Sequence, residues 1–240
     1  MRSMLIAFVV LSSFFLPGHA DPADARNGSF ATKRWPEAFS RRGYRLGATL
    51  AEFRATPYPD QKEWPNAFPI CSNEPQPSDT FGFDAPILPD LWTKIGAIKC
   101  VFAYRSDLFG HPQVTGAGLM LGNVSPSTNE FFFFQPEDST EPVLFFINTE
   151  GPSARFDETA VAFREALGPP TQVRNSQAQN GIGNVFQNTE IIYSRGQSVI
   201  ELTRFKKTLQ KFAVNYTLVP VFEAFSAKFD NINGRASDRL

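Results

Sequence analysis

Histidine and cysteine, on which most metal sites and many catalytic sites depend, are scarce in this chain. The 240 residues include two histidines and two cysteines. These are too few for a His-rich metal site, a four-thiolate zinc site or a disulfide-dense scaffold. The charges nearly balance, with 23 Lys and Arg against 24 Asp and Glu, so the composition offers no basic surface for nucleic acid or an anionic membrane. The hydrophobic content of 42% excludes a disordered chain.

The sequence also lacks the short motifs of several enzyme classes. It contains no Gly-x-Ser-x-Gly nucleophile elbow, no Gly-x-x-x-x-Gly-Lys-Ser/Thr phosphate loop and no His-Glu-x-x-His zinc motif. Gly116-Ala-Gly118 and Gly181-Ile-Gly183 fall short of the dinucleotide fingerprint, because neither lies between the strand and the helix of a βαβ unit. His111 lies in a predicted turn, where a solvated histidine is more common than a catalytic one. No catalytic residue, cofactor or metal is predicted, and a non-enzyme is favoured over an enzyme.

Residues 1–20 have the pattern of a secretory signal peptide. Arg2 precedes the apolar run, and the small residues Gly18 and Ala20 fit the cleavage rule. The run is about 13 residues long, whereas a membrane-spanning helix needs roughly 17–25. We therefore expect cleavage after Ala20 rather than a membrane anchor, and export to the periplasm or the cell exterior.

The only two cysteines are Cys71 and Cys100. Two cysteines in an oxidising compartment usually pair. A redox pair is typically Cys-x-x-Cys, and a catalytic thiol would have only His111 as its base once the signal peptide is removed. A structural disulfide is therefore favoured over a reactive cysteine.

The apolar runs and turn residues predict an α+β fold, in which a few helices pack on an antiparallel sheet. Residues 21–45 are polar and charged and are predicted to form a flexible arm. Residues 46–150 form a first helix-plus-sheet half with a Pro-rich insertion and the disulfide. Residues 151–230 form a second such half, and residues 231–240 form a polar tail.

The predicted elements are spaced as expected for antiparallel hairpins. Helices are predicted at 48–55 and 219–229. A further helix is predicted from the stripe of Phe156, Ala160, Phe163 and Leu167, with Asp157 or Thr159 as its cap. A long loop is predicted at 58–89, with Ile70, Phe81 and Phe83 as the residues that pack inward. The predicted strands are 97–104, 114–121, 130–135, 143–147, 190–193, 198–203 and 211–218.

The two halves show a short internal similarity. Thr49-Leu-Ala-Glu-Phe-Arg54 aligns with Thr159-Ala-Val-Ala-Phe-Arg164, and each segment precedes a run of strands. The sequence thus permits two tandem repeats. An amphipathic helix also repeats such letters by chance, so duplication and coincidence both stay open.

Two segments carry a resemblance to known families. Gly47-Ala-Thr-Leu-Ala-Glu-Phe53 resembles the Gly-Met-Thr-x-x-Glu/Gln-Val helix start of the BamE-like and β-lactamase-inhibitor-protein-like families, with Ala48 in place of Met. Ala166-Leu-Gly-Pro-Pro-Thr171 is similar to the Leu-Gly-x-Pro that ends helices in that group. The resemblance implies exported, non-catalytic helix-plus-sheet modules, in tandem in the inhibitor proteins, that bind other proteins through a sheet face. It transfers no binding residue, and the chain also resembles uncharacterised exported bacterial proteins.

Phe131 to Phe134 are four consecutive phenylalanines in one predicted strand. Side chains alternate along a strand, so Phe131 and Phe133 face one side and the other two face the opposite side. A strand buried on both faces is favoured. The alternative leaves Phe131 and Phe133 open as an interaction surface. Trp64 and Trp92 are favoured over the phenylalanines as exposed contacts, with ordinary loop packing as the alternative.

The leading hypothesis is a non-enzymatic exported binding or interaction protein of the cell envelope, with another envelope protein as a candidate partner. A second hypothesis is a hydrolase of envelope polymers, which requires two loop carboxylates roughly 5–10 Å apart in a cleft. A third is a carrier of a small apolar ligand in a phenylalanine-lined pocket. The loop carboxylates are Asp79, Asp84, Asp90, Glu137, Asp138, Glu141 and Glu150.

Overall fold

The runs of β-branched and aromatic residues build one large antiparallel sheet with helices packed against it, which confirms the α+β class. The computed structural model describes residues 33–77, 86–108, 110–126, 128–179, 183–205 and 208–237. None of the helices in this described part is both long enough and apolar enough to cross a membrane.

Nine strands form the large sheet, and two very short strands form a separate hairpin. The hairpin strands are β1 (Ser40–Arg41) and β2 (Tyr44–Arg45). The sheet strands are β3 (Phe68–Cys71), β4 (Ile98–Leu108), β5 (His111–Ala117), β6 (Thr128–Phe134), β7 (Val143–Pro152), β8 (Gln172–Gln179), β9 (Val185–Arg195), β10 (Ser198–Thr203) and β11 (Lys211–Leu218). The helices are α1 (Leu50–Ala55), α2 (Asp90–Lys94), α3 (Phe156–Leu167) and α4 (Val219–Ser237).

The sheet consists of two meanders joined at their last strands. Its spatial order is β3-β4-β6-β7-β11-β10-β9-β8. In addition, β5 pairs with residues 102–108 of β4. The described strand pairs are all antiparallel. The junction is the pairing of β7 with β11, in which Asn148 lies opposite Asn215. One continuous sheet therefore runs through both halves of the chain.

Each meander follows a helix in the chain. The identical residues of the two aligned segments, however, do not occupy equivalent positions in their helices. Thr49 is the N-cap of α1 and forms a capping box with Glu52. Thr159 lies inside α3, where its hydroxyl donates to the carbonyl of Arg155. The boundary expected between residues 150 and 151 falls inside β7. The tandem duplication therefore stays a prediction.

The start of α3 differs from the sequence-based expectation. Its N-cap is Arg155, which makes no side-chain capping bond, and a 3₁₀ turn over Ser153–Arg155 leads directly into the helix. The prediction of Asp157 or Thr159 as the cap is therefore wrong. Asp157 lies in the first turn instead, where its charge favours the positive end of the helix dipole.

The four consecutive phenylalanines of β6 are buried on both faces of the sheet. Phe131 and Phe133 are fully buried against Phe53 of α1, with each pair of ring centroids 5.1 Å apart. On the opposite face, Phe134 packs against Phe225 of α4, with ring centroids 5.6 Å apart. We call the first side the front face and the second the back face. The hypothesis of an open surface at Phe131 and Phe133 is wrong, because helices cover both faces at this strand.

The segment expected to be a flexible arm contributes to the core over its described part, residues 33–45. Trp35, Phe39 and Tyr44 are buried there. The arm prediction is wrong for these residues, because the aromatic side chains between the arginines pack into the hydrophobic core. Residues 21–32 of the predicted arm lie outside the described residues.

The C-terminal helix is longer than expected. The sequence predicts its end at residue 229 and a polar tail over 231–240, but α4 continues to Ser237. Phe229 and Ile232 explain this extension, because they are one turn apart and both pack against the core.

A short strand forms inside the segment predicted as a loop at 58–89. β3 pairs with β4 only, so it is an edge strand and can accommodate Pro69. Ile70 is buried, as predicted. Phe81 and Phe83 lie outside the described residues.

The predicted disulfide is confirmed. Cys71 and Cys100 are bonded and fully buried, and they lie directly opposite each other where β3 pairs with β4. The bond therefore ties the edge strand to the sheet.

Replacing both cysteines tests the contribution of this bond to stability. We expect Cys71→Ala/Cys100→Ala to lower the free energy of unfolding by about 3–4 kcal/mol, because the unfolded chain regains the entropy of an open loop. Urea denaturation of the oxidised wild type and the double variant measures the difference. An unchanged free energy of unfolding would contradict a stabilising disulfide.

The aromatic core predicts a large difference between two phenylalanine substitutions. Phe131→Ala leaves a cavity among tightly packed rings and should cost about 3–5 kcal/mol of unfolding free energy. Phe222→Ala is the control, because Phe222 is 39% exposed and should lose clearly less. Urea denaturation compares the two, and equal losses would contradict the central position of Phe131.

Candidate ligand-binding cleft

A tight hairpin directs one arginine into the protein. Arg42 and Gly43 connect β1 to β2 with φ angles of 53° and 92°. Two consecutive positive φ angles are the signature of the turn that best matches the twist of a two-residue hairpin. Arg41 immediately precedes this turn, pairs with Tyr44 and is only 3% exposed. The hairpin thus buries the Arg41 side chain against the front face of the sheet.

Neutral groups hold the buried guanidinium. Nη2 of Arg41 donates to the carbonyl of Leu119 and to Oδ1 of Asn129, the latter at 2.8 Å. Thr149 donates to the same Oδ1 at 3.4 Å. Tyr216 also lines the cleft with Arg41 and raises the pKa of the guanidinium, against the larger effect of burial. These contacts fix the position of the guanidinium, but none of them supplies a negative charge.

Part of the Arg41 side chain remains unpaired. Its Nε is buried and has no hydrogen-bond partner among the described residues, and no described carboxylate forms an ion pair with it. Burial lowers the pKa of Arg41 and raises the pKa of the Tyr216 hydroxyl. A buried charge is costly unless it is paired, so Arg41 is a costly feature of the front face.

The nearest buried carboxylate serves a different arginine. Asp60 is 8% exposed; one oxygen forms an ion pair with Arg42, and the other accepts from the backbone N–H of Met120 at 2.8 Å. Asp60 also raises the pKa values of Tyr44 and Tyr58, after the larger effect of burial. The carboxylate therefore orders the hairpin and the loop at residue 120 and does not neutralise Arg41 directly.

Beside Arg41 lies a cleft of about 500 Å³, which we call the arginine cleft. It opens between the β1–β2 hairpin, the loop at 120–122 and one stripe of α3, and the front face of β10 and β11 forms its floor. The three arginines are Arg41, Arg42 and Arg195. The apolar and uncharged lining residues are Phe39, Ser40, Met120, Leu121, Gly122, Thr159, Ala162, Phe163, Ala166, Leu167, Ile200 and Tyr216.

Arg195 adds a second cation to this cleft without a carboxylate partner in the described part of the chain. Its guanidinium lies over the ring of Phe39 at 4.3 Å, and its Nε donates to the carbonyl of Glu37 at 3.0 Å. The described lining contains no aspartate or glutamate. The arginine cleft therefore combines positive charge with an apolar wall.

A larger groove of about 1080 Å³ lies between α4 and the loop at 134–138. Three of the four charged residues in its described lining have contacts nearby, and Glu137 is the fourth. Arg34 pairs with Asp138, and Lys228 lies over the ring of Phe134 at 5.3 Å. We therefore regard the arginine cleft as the better-defined candidate site.

The two tryptophans predicted as surface contacts are partly buried and pack against the core. Trp64 is half-buried against Tyr58, with ring centroids 6.5 Å apart. Trp92 is half-buried between Phe132 and Phe225. Neither tryptophan lines the arginine cleft, and their role as contacts stays a prediction.

The loop carboxylates are spread over several elements. Asp90 begins α2, Asp138 pairs with Arg34, and Glu150 of β7 pairs with Lys211. In the described ranges, no three Asp, Glu, His or Cys side chains are arranged to hold a metal ion. Asp79 and Asp84 lie outside the described residues, and none of the predicted carboxylates lines the arginine cleft.

Sequence reasoning missed the residues that build this cleft. Arg41 lies in a charged segment whose composition predicts solvent-exposed side chains. The Arg42-Gly43 pair between short extended segments is the one local signal of a hairpin there. Nothing in the sequence links Asp60 to Arg42, or Tyr216 to Arg41, because these contacts depend on strands that are distant in the chain.

Two tyrosines in this cluster form a matched pair for measuring the value of one hydrogen bond. The Tyr58 hydroxyl donates to the carbonyl of Gly118, whereas the buried Tyr44 hydroxyl has no partner in the described part of the protein. We expect Tyr58→Phe to lower the free energy of unfolding by about 1–2 kcal/mol. Tyr44→Phe should leave it unchanged or raise it slightly. Urea denaturation of both variants decides, and a larger loss in Tyr44→Phe would contradict this hydrogen-bond assignment.

Comparisons of the chain with protein-family models, curated proteins and solved structures found no match. The resemblance to the BamE-like and β-lactamase-inhibitor-protein-like families therefore stays a prediction.

Proposed function

We propose that the mature chain is a non-enzymatic binding protein, exported to the periplasm or the cell exterior, that holds a ligand in the arginine cleft. The signal-like pattern of residues 1–20 supports export. The buried Cys71–Cys100 disulfide is consistent with an oxidising compartment.

The observation that carries the binding function is the unpaired, buried Nε of Arg41 beside an apolar-walled cleft. Ligand sites are typically concave and mostly apolar, with a few fixed polar groups that orient the ligand. Arg41 meets this description because its neighbours hold the guanidinium in place before a ligand arrives. Such preorganisation lowers the entropic cost of binding.

Thr159 and Tyr216 are two of the hydroxyl-bearing residues that line the cleft. The state of each hydroxyl supports a role in binding a ligand over a role in catalysis. The Thr159 hydroxyl already donates to the carbonyl of Arg155. Burial raises the pKa of Tyr216, which keeps its phenol protonated as a hydrogen-bond donor. These groups support a role in orienting a ligand.

The weak family resemblance supports the same general class. Each half of the chain contains a helix followed by an antiparallel meander, as the resemblance would imply for non-catalytic tandem modules. Another envelope protein as partner remains part of this proposal. The arginine cleft would then be the site at which this chain binds a small-molecule ligand, separate from the contact with the partner protein.

The experiment is to express the full chain in a bacterial host, recover the exported protein and incubate it with a small-molecule extract of the envelope. Denatured mass spectrometry locates the cleavage site, and native mass spectrometry detects a bound ligand. We expect a chain that begins at Asp21 and carries a small-molecule adduct.

A matched pair of variants locates the adduct. Ala166→Phe places a ring in the cleft from the exposed side of α3, and Val161→Phe adds the same ring at a 54% exposed position of that helix outside the cleft lining. The adduct should be lost in Ala166→Phe and retained in Val161→Phe. No adduct in the wild type, or equal adducts in all three proteins, would overturn binding in the cleft. An uncleaved chain would overturn export.

A further inference from the structure

We infer that the arginine cleft binds an aliphatic carboxylate, with the carboxylate at Arg41 and the hydrocarbon chain along the α3 wall. This inference rests on the proposed function and specifies the ligand class of the same site. Three properties of the cleft support it: its charge, the geometry of its donors and the character of its walls.

The charge of the cleft favours an anion. Of its three arginines, Arg42 has a carboxylate partner in Asp60, while Arg41 and Arg195 have none among the described residues. Arg41 is also nearly inaccessible to water, so its attraction to an anion is only weakly screened. A neutral ligand would add no negative charge to pair with this guanidinium.

The geometry of the donors favours a carboxylate. Nη2 of Arg41 is occupied by Leu119 and Asn129, and Nε is unpaired. Tyr216 lines the same cleft as Arg41, and its O–H can donate a hydrogen bond. A guanidinium presents its N–H donors in a planar fork, which matches the two oxygens of a carboxylate.

The walls favour an aliphatic body over a polar one. Ala162, Phe163, Ala166 and Leu167 present one apolar stripe of α3, and Leu121 and Ile200 line the cleft with them. These side chains offer no hydrogen bonds to a sugar or a polar base. A volume of about 500 Å³ lies within the range of small-ligand sites.

Octanoate and 1-octanol form the probe pair, because they share a chain and differ in charge. Isothermal titration calorimetry should show octanoate binding at least tenfold more tightly than octanol. Hexanoate should bind more weakly than octanoate, by up to about fourfold per methylene removed from the apolar wall. Acetate should not bind measurably.

Arg41→Met tests the assigned contact with a readout that a merely structural role would not move. The variant should lose the preference for octanoate over octanol, while its affinity for octanol stays near that of the wild type. Arg174→Met is the control, because Arg174 is an exposed arginine of β8 outside the cleft, and it should keep the preference. Thermal unfolding of each variant verifies that it is folded.

Tyr216→Phe provides the same test if Arg41→Met does not fold. It should weaken octanoate binding severalfold and leave octanol binding unchanged. Ala166→Phe should weaken both probes, and Val161→Phe should weaken neither.

The results distinguish a failure of the carboxylate assignment from a failure of the proposed function. Equal affinities for octanoate and octanol in the wild type would overturn the carboxylate assignment, even if the envelope adduct depends on the cleft. Equal affinities for acetate and octanoate would overturn the aliphatic body. Binding of octanoate that is unchanged in Ala166→Phe would overturn its location. The proposed function fails separately, if the envelope extract yields no cleft-dependent adduct.

Discussion

The antiparallel pairing of β7 with β11 is the interaction on which the rest of the structure depends. It joins the two meanders into one sheet, and its register places Tyr216 opposite Ile147 on the front face. The arginine cleft forms on the front face of the sheet, next to this β7–β11 junction. The first half supplies Arg41 and Asn129, and the second supplies Tyr216 and α3. Neither half could form the cleft alone, because the walls and the guanidinium belong to different halves of the chain.

Aromatic packing holds the sheet around the β7–β11 junction in place. Phe131 and Phe133 hold α1 on the front face, while Phe132 and Phe134 hold α2 and α4 on the back face. Edge-to-face and tilted rings contribute energy beyond the area that they bury. The phenylalanines that stand out in the sequence thus serve stability. They fix the strand that carries Asn129, and through it the position of Arg41.

Arg41 illustrates the tension between stability and function in this fold. Burying a guanidinium among neutral acceptors lowers stability, and a well-packed apolar residue at such a position is often neutral or stabilising. The hairpin turn, the Asp60–Arg42 ion pair and the backbone donor of Met120 together hold this costly arrangement in place. A buried charged group that its surroundings fix so completely is the kind of feature from which a binding role can be argued.

Local patterns in the sequence determined the α+β class, β10 and β11 to the residue, the Thr49 start of α1 and the cysteine pair. Each of these depends on periodicity, turn chemistry or a count, which a single stretch of chain carries. Tertiary structure alone decided the rest. The polar β8 becomes a strand because β9 offers it an edge, and residues 33–45 fold because the sheet accepts their aromatic rings. The arginine cleft belongs to this second group, since it depends on contacts between residues up to 175 positions apart, Arg41 and Tyr216 among them. No local pattern records such contacts, because their energy arises only after the strands between them have paired.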